Sequence, residues 1–300
     1  MGLLEAHAAL AGKNAVVVGG AGGIVGRAVT LGLAGAGVHL ATCDVDEEAV
    51  RAIVPEVEAL GSRILSVHAD VLDAEALDRF YDQVEAELDR LDIVVNLAGG
   101  VQRSLFLDTT REQNARDIRL NYGYVIDSVR RAVPLMRRGG EGGSIVNFTT
   151  IEAHRGAATY AVYAGAKAAT TNFSRAMALE LGAERIRVNL IAPDTNPAQG
   201  SNAALYPEDL ARLAELGDDY SVFAEAFRMY VPLKEAPTVD DIVNAVLFLT
   251  SDLSRSITGT TLHVDGGTIA ALGFLDWPYG DSFMPAPLGG SLKRLFGKDE

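Results

Sequence analysis

The sequence predicts an α/β fold in which one parallel sheet carries helices on both of its faces. Three observations predict it: seven short apolar runs, longer amphipathic stretches between them, and the regular alternation of the two. The apolar runs are rich in β-branched residues and lack strict polar alternation, which is typical of strands buried on both faces. Strand–helix–strand repetition favours parallel strands joined by helices that cover the sheet.

The predicted elements follow one another without an internal repeat or a linker long enough to split the chain. The predicted strands cover 14–19, 38–43, 63–69, 92–98, 143–149, 186–192 and 260–265. The predicted helices cover 24–36, 46–60, 73–90, 111–138, 160–183 and 238–250. We therefore predict one domain over 1–269, with a long connection at 194–237 and a C-terminal extension over 270–300.

Composition excludes several classes of protein. The 300 residues carry a formal net charge of −14, and such a surface repels phosphate backbones, so we expect no nucleic-acid partner. The single cysteine, Cys43, excludes an internal disulfide framework and a cysteine-based metal cluster, and it suggests a reducing cytoplasm. We find no signal peptide, no apolar run long enough to span a membrane and no set of metal ligands.

A glycine-rich segment, VVVGGAGGIVGRAV, follows the first predicted strand and opens the first predicted helix. Glycines at this place allow a tight turn and let backbone N–H groups approach a pyrophosphate at a helix N-terminus. A plain turn would also use glycine, but the strand–helix context favours dinucleotide binding through Gly20, Gly23 and Gly26.

Two acidic residues follow the second and third predicted strands. Asp44 is placed to accept hydrogen bonds from the adenosine ribose and to repel a 2′-phosphate, which favours NAD over NADP. Asp70 is a candidate for the adenine edge of the same cofactor. For both residues the alternative is an N-terminal cap of the following helix.

The segment YAGAK places Tyr163 and Lys167 four residues apart on a predicted helix, and therefore on one face. A phenol with a pKa of about 10 is a poor base at neutral pH, and a nearby ammonium lowers that pKa. The pair is therefore a candidate proton-transfer device, with a surface pair as the alternative. Thr150, at the end of the fifth strand, is a candidate to hydrogen-bond a substrate carbonyl next to the phenol. Asn121, within a predicted helix, is a candidate to hold a water molecule. Its position alone favours the alternative, a buried asparagine whose side chain bonds to the backbone.

Taken in order, these motifs resemble the short-chain dehydrogenase/reductase family over about residues 12–267. The resemblance rests on GGAGGIVG 19–26, Asp44, ADV 69–71, NLAG 96–99, Asn121, GSIVNFTT 143–150, YAGAK 163–167, IRVNLIAP 186–193 and GTTLHVDGG 259–267. It implies a doubly wound, seven-stranded Rossmann-type domain that assembles as a homodimer or homotetramer.

The resemblance also implies roles for individual residues. Tyr163 is the implied acid or base, Lys167 lowers its pKa and binds the nicotinamide ribose, Thr150 orients the substrate, and Asn121 holds a relay water. The implied cofactor-binding residues are Gly20, Gly23, Ile24, Gly26, Asp44, Asp70, Val71, Asn96, Ala98, Tyr163, Lys167, Pro193 and Thr195.

The chain departs from the family pattern in four places. Gly19 replaces a threonine and Ile24 replaces the middle glycine of the cofactor turn. Thr150 stands where serine is usual, and Asp194 follows the sixth strand where a glycine is common. The tail after VDGG, which is rich in apolar residues, is longer than usual, and we expect residues 270–288 to pack on a neighbouring subunit.

These features predict an NAD-dependent enzyme that interconverts a secondary alcohol and a ketone. Aromatic residues of the 194–237 connection suggest a largely apolar, cyclic or steroid-like substrate, unless they pack on the sheet: Tyr206, Tyr220, Phe223, Phe227 and Tyr230. Two alternatives stay open. One is reduction of a 3-oxoacyl thioester, against which Asp44 argues, and the other is an NAD-binding sensor without turnover.

Overall fold

The computed structural model describes residues 3–101, 103–194, 227–276 and 283–285. Its main sheet confirms the predicted parallel architecture. The strands are β1 Asn14–Val18, β2 His39–Asp44, β3 Ile64–His68, β4 Ile93–Asn96, β5 Gly143–Phe148, β6 Ile186–Pro193 and β7 Thr261–Val264. Their spatial order in the sheet is β3-β2-β1-β4-β5-β6-β7. Each one coincides with a predicted apolar run to within a few residues.

The helices also follow the predicted pattern, with one interruption. They are α1 Leu3–Ala8, α2 Ile24–Gly35, α3 Glu47–Ala59, α4 Ala74–Glu87, α5 Arg111–Ile118, α6 Tyr124–Gly139, α7 Ala161–Leu181, α8 Val239–Thr250 and α9 Thr268–Ala271. A π-helical turn, Arg119–Gly123, separates α5 from α6, so the predicted helix 111–138 is in fact three segments. Such wide turns occur frequently at functional sites.

Hydrophobic cores lie on both faces of the sheet. Within β1, Ala15 and Val17 belong to one core, whereas Val16 and Val18 belong to the other, as the alternation of strand side chains requires. The first core is closed by α2, α3 and α8, and the second by α4, α6 and α7. Strands buried on both faces explain why their sequences are apolar without alternation.

The strand order reverses at β1, and this reversal positions the site. β1 pairs with β2 on one side and with β4 on the other. The connection that follows β1 therefore runs toward one edge of the sheet, and the connection that follows β4 runs toward the other edge. A crevice therefore opens beyond the carboxyl ends of β1 and β4, which is where doubly wound sheets bind their ligands.

The described part of the C-terminal extension forms a small hairpin. Strands β8 Phe274–Asp276 and β9 Phe283–Pro285 pair antiparallel. Lys234 forms an ion pair with Asp276 and lies 4.6 Å from the centre of the Phe283 ring. Contact of the 270–288 segment with a neighbouring subunit stays a prediction, and Trp277 and Tyr279 lie outside the described residues. No described helix combines the length and the apolar character needed to cross a membrane.

Candidate active site

The loop after β1 makes a close glycine turn at the crevice. Gly23, the residue before α2, has φ 62° and ψ 158°, a backbone conformation that is essentially restricted to glycine. A Cβ on Gly26 would lie 2.1 Å from the carbonyl oxygen of Gly19, so the first turn of α2 packs directly on the loop. The amino end of α2, with its unpaired N–H groups, therefore faces a crevice that suits an anion.

The residues predicted for the glycine turn differ in whether they line the cavity at this crevice. Gly23, Ile24 and Gly26 line this cavity, which has a volume of about 550 Å³, and Ile24 is 52% exposed. Gly20 does not line the cavity. A Cβ on Gly20 would meet Thr30 and Thr42 at 2.6 Å, so this glycine allows α2 to pack closely on the sheet, and its contact with the cofactor stays a prediction.

Asp44 lies at the end of β2 and faces the same cavity. One of its carboxylate oxygens accepts hydrogen bonds from the backbone N–H groups of Gly22 at 2.7 Å and Ala21 at 3.3 Å. The cap of α3 is Asp46, whose side chain accepts from the N–H groups of the first helical turn. The capping alternative for Asp44 is therefore wrong, and its carboxylate instead holds the glycine turn in place.

Asp70, Val71 and Ala98 also line this cavity. Asp70 accepts a hydrogen bond from the N–H of Leu72 at 2.9 Å, whereas Asp73 caps α4. The capping alternative is therefore wrong for Asp70 as well. Both acidic residues therefore line the same cavity.

The Asn96 side chain does not line either cavity, and its predicted contact with the cofactor stays a prediction. It is completely buried, and its amide donates to the side chain of Asn147 at 2.8 Å. Its oxygen accepts from the Ser128 hydroxyl at 2.6 Å, and Tyr81 lies 2.7 Å from the same hydroxyl. This residue satisfies the interior of the sheet rather than a ligand.

A second cavity, of about 540 Å³, continues from the first and is lined by Tyr163 and Lys167, but not by Thr150 or Asn121. Val25, Leu97 and Gly99 line both cavities, so a ligand can extend from one into the other. The second cavity is further lined by Val101, Phe148, Glu152, Arg155, Tyr160, Tyr163, Lys167, Pro193, Asp194, Phe227 and Tyr230. The predicted pair on α7 therefore faces a cavity and is not a surface pair.

The pKa of Tyr163 moves in the direction opposite to the prediction. Burial, with a smaller contribution from the negative charge of Glu152, raises the pKa of Tyr163 to about 12, although a hydrogen bond with Thr150 acts to lower it. The sequence shows the neighbouring lysine but not the desolvation of the phenol, which disfavours the phenolate. In this structure Tyr163 is therefore protonated at neutral pH.

Lys167 lies one turn after Tyr163 on α7 and is buried. Its ammonium donates a hydrogen bond to the carbonyl of Phe148 at 3.0 Å. Burial lowers the pKa of Lys167 to about 8, because the charged form loses its hydration. The amine therefore sits close to its titration point at physiological pH.

Asn121 lies in the π-helical turn and is completely buried. Its side-chain amide donates to the carbonyls of Gly100 at 2.9 Å and Asp117 at 3.0 Å, and its oxygen accepts from the N–H of Gly100 at 3.2 Å. A Cβ on Gly99 would lie 3.0 Å from the Asn121 oxygen and 3.2 Å from the Lys167 amine, so both groups border one glycine. The backbone-satisfied alternative therefore describes the side chain, which nevertheless lies near the lysine.

Sequence reasoning missed a charged pair in the second cavity. Glu152 accepts a hydrogen bond from the hydroxyl of Thr150 and another from the Arg155 guanidinium at 2.9 Å. Arg155 also lies over the ring of Tyr230 at 5.9 Å. A signal was present, because both charged residues closely follow β5, whose carboxyl end belongs to the ligand-binding edge of the sheet.

The end of β6 completes the second cavity. Pro193, Asp194 and Phe227 line it, and Tyr230 is hydrogen-bonded to Asp194 and Arg155. Thr195, predicted to bind the cofactor, lies outside the described residues, as do Tyr206, Tyr220 and Phe223. Over the described residues, no group of three or more His, Cys, Asp or Glu side chains is arranged to hold a metal ion.

Comparison with known proteins defines the class. The family model described as Enoyl-(Acyl carrier protein) reductase matches residues 20–268. The chain belongs to the short-chain dehydrogenase/reductase family, as its sheet order and the YAGAK segment on α7 also indicate.

Among its relatives are enzymes with different substrates. The chain is 33% identical to 2,3-dihydro-2,3-dihydroxybenzoate dehydrogenase of Bacillus subtilis, over 85% of this chain and 95% of that protein. It is 31% identical to the 3-oxoacyl-[acyl-carrier-protein] reductase FabG of Staphylococcus aureus, over 85% and 97%. A structure of 7α-hydroxysteroid dehydrogenase with NADH and 7-oxo glycochenodeoxycholic acid is 28% identical, covers 89% of this chain and 98% of that chain, and has a TM-score of 0.77.

Proposed function

We propose that this oxidoreductase interconverts a secondary alcohol and a ketone with NAD as its cofactor. One observation carries the proposal. The buried Tyr163 and Lys167 line a cavity that continues into the cleft formed by the glycine turn and Asp44. A buried phenol at one end of a cleft that begins at a glycine turn supports this proposal.

The residues present fit a nicotinamide dinucleotide. The turn before α2 leaves no room for a side chain at Gly26, which lets backbone N–H groups reach a pyrophosphate. Asp44 would accept from the adenosine ribose and repel a 2′-phosphate, while Asp70 and Val71 would flank the adenine. Lys167 would bind the nicotinamide ribose. The bound cofactor would supply or accept a hydride, whereas the protein would orient the substrate and handle the proton.

The protein's own proton chemistry centres on Tyr163. A phenol with a pKa of about 12 keeps its proton at neutral pH and is suited to donate it to the oxygen of a ketone being reduced. Thr150 hydrogen-bonds the phenol and would hold the same substrate oxygen. The buried ammonium of Lys167 would favour the negative charge that develops on that oxygen.

The second cavity supports a cyclic substrate. Phe227 and the Tyr230 ring offer apolar surface, whereas Glu152 and Arg155 form a polar wall close to the phenol. A ring system with at least one further polar group matches both walls. The dehydrogenase relatives named above act on a dihydroxylated ring and on a steroid, which supports this substrate class.

One assay tests the proposal. The absorbance of NADH would be followed with a panel of cyclic secondary alcohols and with the matching ketones, using NAD(H) and NADP(H) in parallel. We expect turnover of several cyclic substrates and a preference for NAD of at least about tenfold, or about 1.4 kcal/mol. A protein that binds NADH but turns over no member of the panel would instead be a sensor.

Reduction of a 3-oxoacyl thioester is a second candidate, because the chain is 31% identical to FabG. Acetoacetyl-coenzyme A with NADPH belongs in the same panel as a probe. The repulsion expected between Asp44 and a 2′-phosphate predicts a slow reaction. Rapid NADPH-dependent reduction of this thioester would favour the second candidate over the first.

A further inference from the structure

A third cavity lies at the amino ends of three strands of the main sheet. It has a volume of about 700 Å³, which is larger than either cavity of the candidate active site and within the range of small-molecule sites. Its lining comes from the starts of β4, β5 and β6 and from residues 250–258, at and after the end of α8. Because the strands are parallel, this cavity is separate from the crevice at their carboxyl ends.

Three arginines that form no ion pair line this cavity. Arg185 and Arg187 lie at the start of β6, and Arg255 belongs to the segment 250–258. Within residues 3–101, 103–194, 227–276 and 283–285, none of the three forms a salt bridge. Since the whole chain carries a formal net charge of −14, such a group of cations is not the general character of its surface.

The carboxylates that line the cavity are already paired with other cations. Asp252 lies 3.0 Å from the amine of Lys13. Asp92 and Glu141 both pair with Arg90, at 3.2 Å and 3.1 Å, and Arg90 does not line the cavity. These acidic groups therefore leave the charge of the three arginines without a counter-ion of its own.

Arg187 is the arginine whose guanidinium is held most firmly. It is half-buried, and it donates to the backbone carbonyls of Ser251 at 3.2 Å and Ile257 at 3.4 Å. A guanidinium has five N–H donors, so three of them have no acceptor in the described part of the chain. Burial also lowers the pKa of Arg187, with only a partial opposing effect of the charge of Asp252. A cation that has lost hydration in this way gains stability when an anion binds to it.

The other two arginines come to the cavity from different parts of the chain. The Arg185 guanidinium lies 3.5 Å from the carbonyl oxygen of Gly140, in the turn that precedes β5. Arg255 is exposed and follows the end of α8. Residues from the turn before β5, from β6 and from the segment 250–258 thus surround one space with positive charge.

We propose that this cavity binds a small molecule with phosphate or carboxylate groups, held by Arg185, Arg187 and Arg255. A guanidinium presents parallel N–H donors that match two oxygens of either group. The volume leaves room for more than one such group, so polyanions of the size of pyrophosphate or citrate fit the site. None of its three arginines lines the cofactor cleft, and the inference does not depend on the proposed function.

Calorimetric titration tests the site, with inorganic pyrophosphate and citrate as probes of the two anion classes. The titrations use the full chain at low ionic strength, because salt screens charge interactions at an open site. We expect at least one probe to bind the wild type with a Kd of about 1 mM or tighter. In Arg187→Gln and in Arg255→Gln the Kd of that probe should rise roughly tenfold or more, the size of a lost hydrogen bond between charged groups. Binding of pyrophosphate alone identifies a phosphate site, and binding of citrate alone a carboxylate site.

Arg63→Gln is the matched control. Arg63 directly precedes β3, so it lies at the same edge of the sheet, is exposed and does not line the cavity. The structure gives it no salt bridge to any described residue. This variant should bind the probe as the wild type does. An equal loss of affinity in Arg63→Gln would indicate a general effect of surface charge and would overturn the site.

Pyrophosphate also has a competing place, the glycine turn before α2. The titration is therefore repeated with NADH in excess. Pyrophosphate binding that disappears with NADH and is unchanged in Arg187→Gln and Arg255→Gln would belong to the cofactor cleft and would overturn the inference. Binding that persists with NADH and depends on the two arginines supports it.

Urea unfolding provides a second measurement, should Arg187→Gln fold poorly. The bound probe should raise the unfolding midpoint of the wild type, and should raise it less in Arg255→Gln, a change at an exposed side chain. If Arg187 only joins β6 to the segment 250–258, Arg187→Gln should lower stability without changing the affinity for the probe, which would overturn the proposal. Absence of both heat and stabilisation at roughly 10 mM of either probe would overturn it as well.

Discussion

Replacement of Gly26 by alanine tests how closely α2 packs on the cofactor turn. The new methyl group would lie 2.1 Å from the carbonyl oxygen of Gly19, a backbone atom that cannot rotate away. To reach an ordinary contact distance, the helix and the loop must separate by about 1.3 Å. We expect the amino end of α2 to move away from the pyrophosphate site and the affinity for NADH to fall.

The expected changes in the free energy of unfolding follow from two opposing effects. Alanine is better than glycine within a helix by about 1 kcal/mol, whereas overpacking costs about 1–3 kcal/mol. Gly35→Ala is the matched control, because it lies in the same helix with no atom within 4 Å of its added Cβ. We therefore expect Gly35→Ala to be the more stable variant by about 1–3 kcal/mol.

The assay combines urea unfolding with calorimetric titration by NADH. Gly26→Ala should bind NADH roughly 10- to 100-fold more weakly, equivalent to about 1.4–2.8 kcal/mol, while Gly35→Ala binds as the wild type does. If both variants bind NADH equally well, the glycine turn does not hold the cofactor and the reasoning about this cleft is wrong.

Two further predictions concern charge. Asp44→Asn keeps a hydrogen-bond acceptor for Gly22 but removes the charge, so the ratio of kcat/KM for NAD to that for NADP should fall by at least about tenfold; an unchanged ratio would contradict the role of Asp44. The pKa of Lys167 is lowered on folding from 10.5 to about 8, so between these values the unfolded chain binds more protons and stability rises with pH. We therefore expect Lys167→Met to have a higher free energy of unfolding than the wild type at pH 7, measured by urea unfolding. The expected difference is about 1–2 kcal/mol, because the variant also loses the hydrogen bond to Phe148. This difference should shrink toward pH 10. An advantage that does not depend on pH would contradict the buried charge.

The elements of the fold were accessible from the sequence because each strand is buried on both faces. A continuous apolar run such as that of β1 reports this burial directly. The π-helical turn at Asn121 was not accessible, because one wide turn hardly changes the periodicity of a long helix. The hairpin of β8 and β9 was missed for another reason: each of its strands spans three residues, too few for a pattern.

The site was predictable where a motif fixes both position and orientation. Tyr163 and Lys167 share a face of α7 and line one cavity, as their spacing requires. Asn96 shows the limit, because a motif gives its position on β4 but not the direction of its side chain, which points into the sheet. The raised pKa of Tyr163 and its connection to Glu152 depend on burial and on contacts across a turn, which residue spacing does not encode.

Tyr163 is the group proposed to exchange a proton with the substrate. Tyr163→Phe keeps the ring and removes the hydroxyl. We predict that the variant binds NADH within about twofold of the wild type and loses kcat by roughly 100-fold or more, the contribution of a general acid or base. A variant that binds NADH normally and turns over the best substrate of the panel at the wild-type rate would contradict the account.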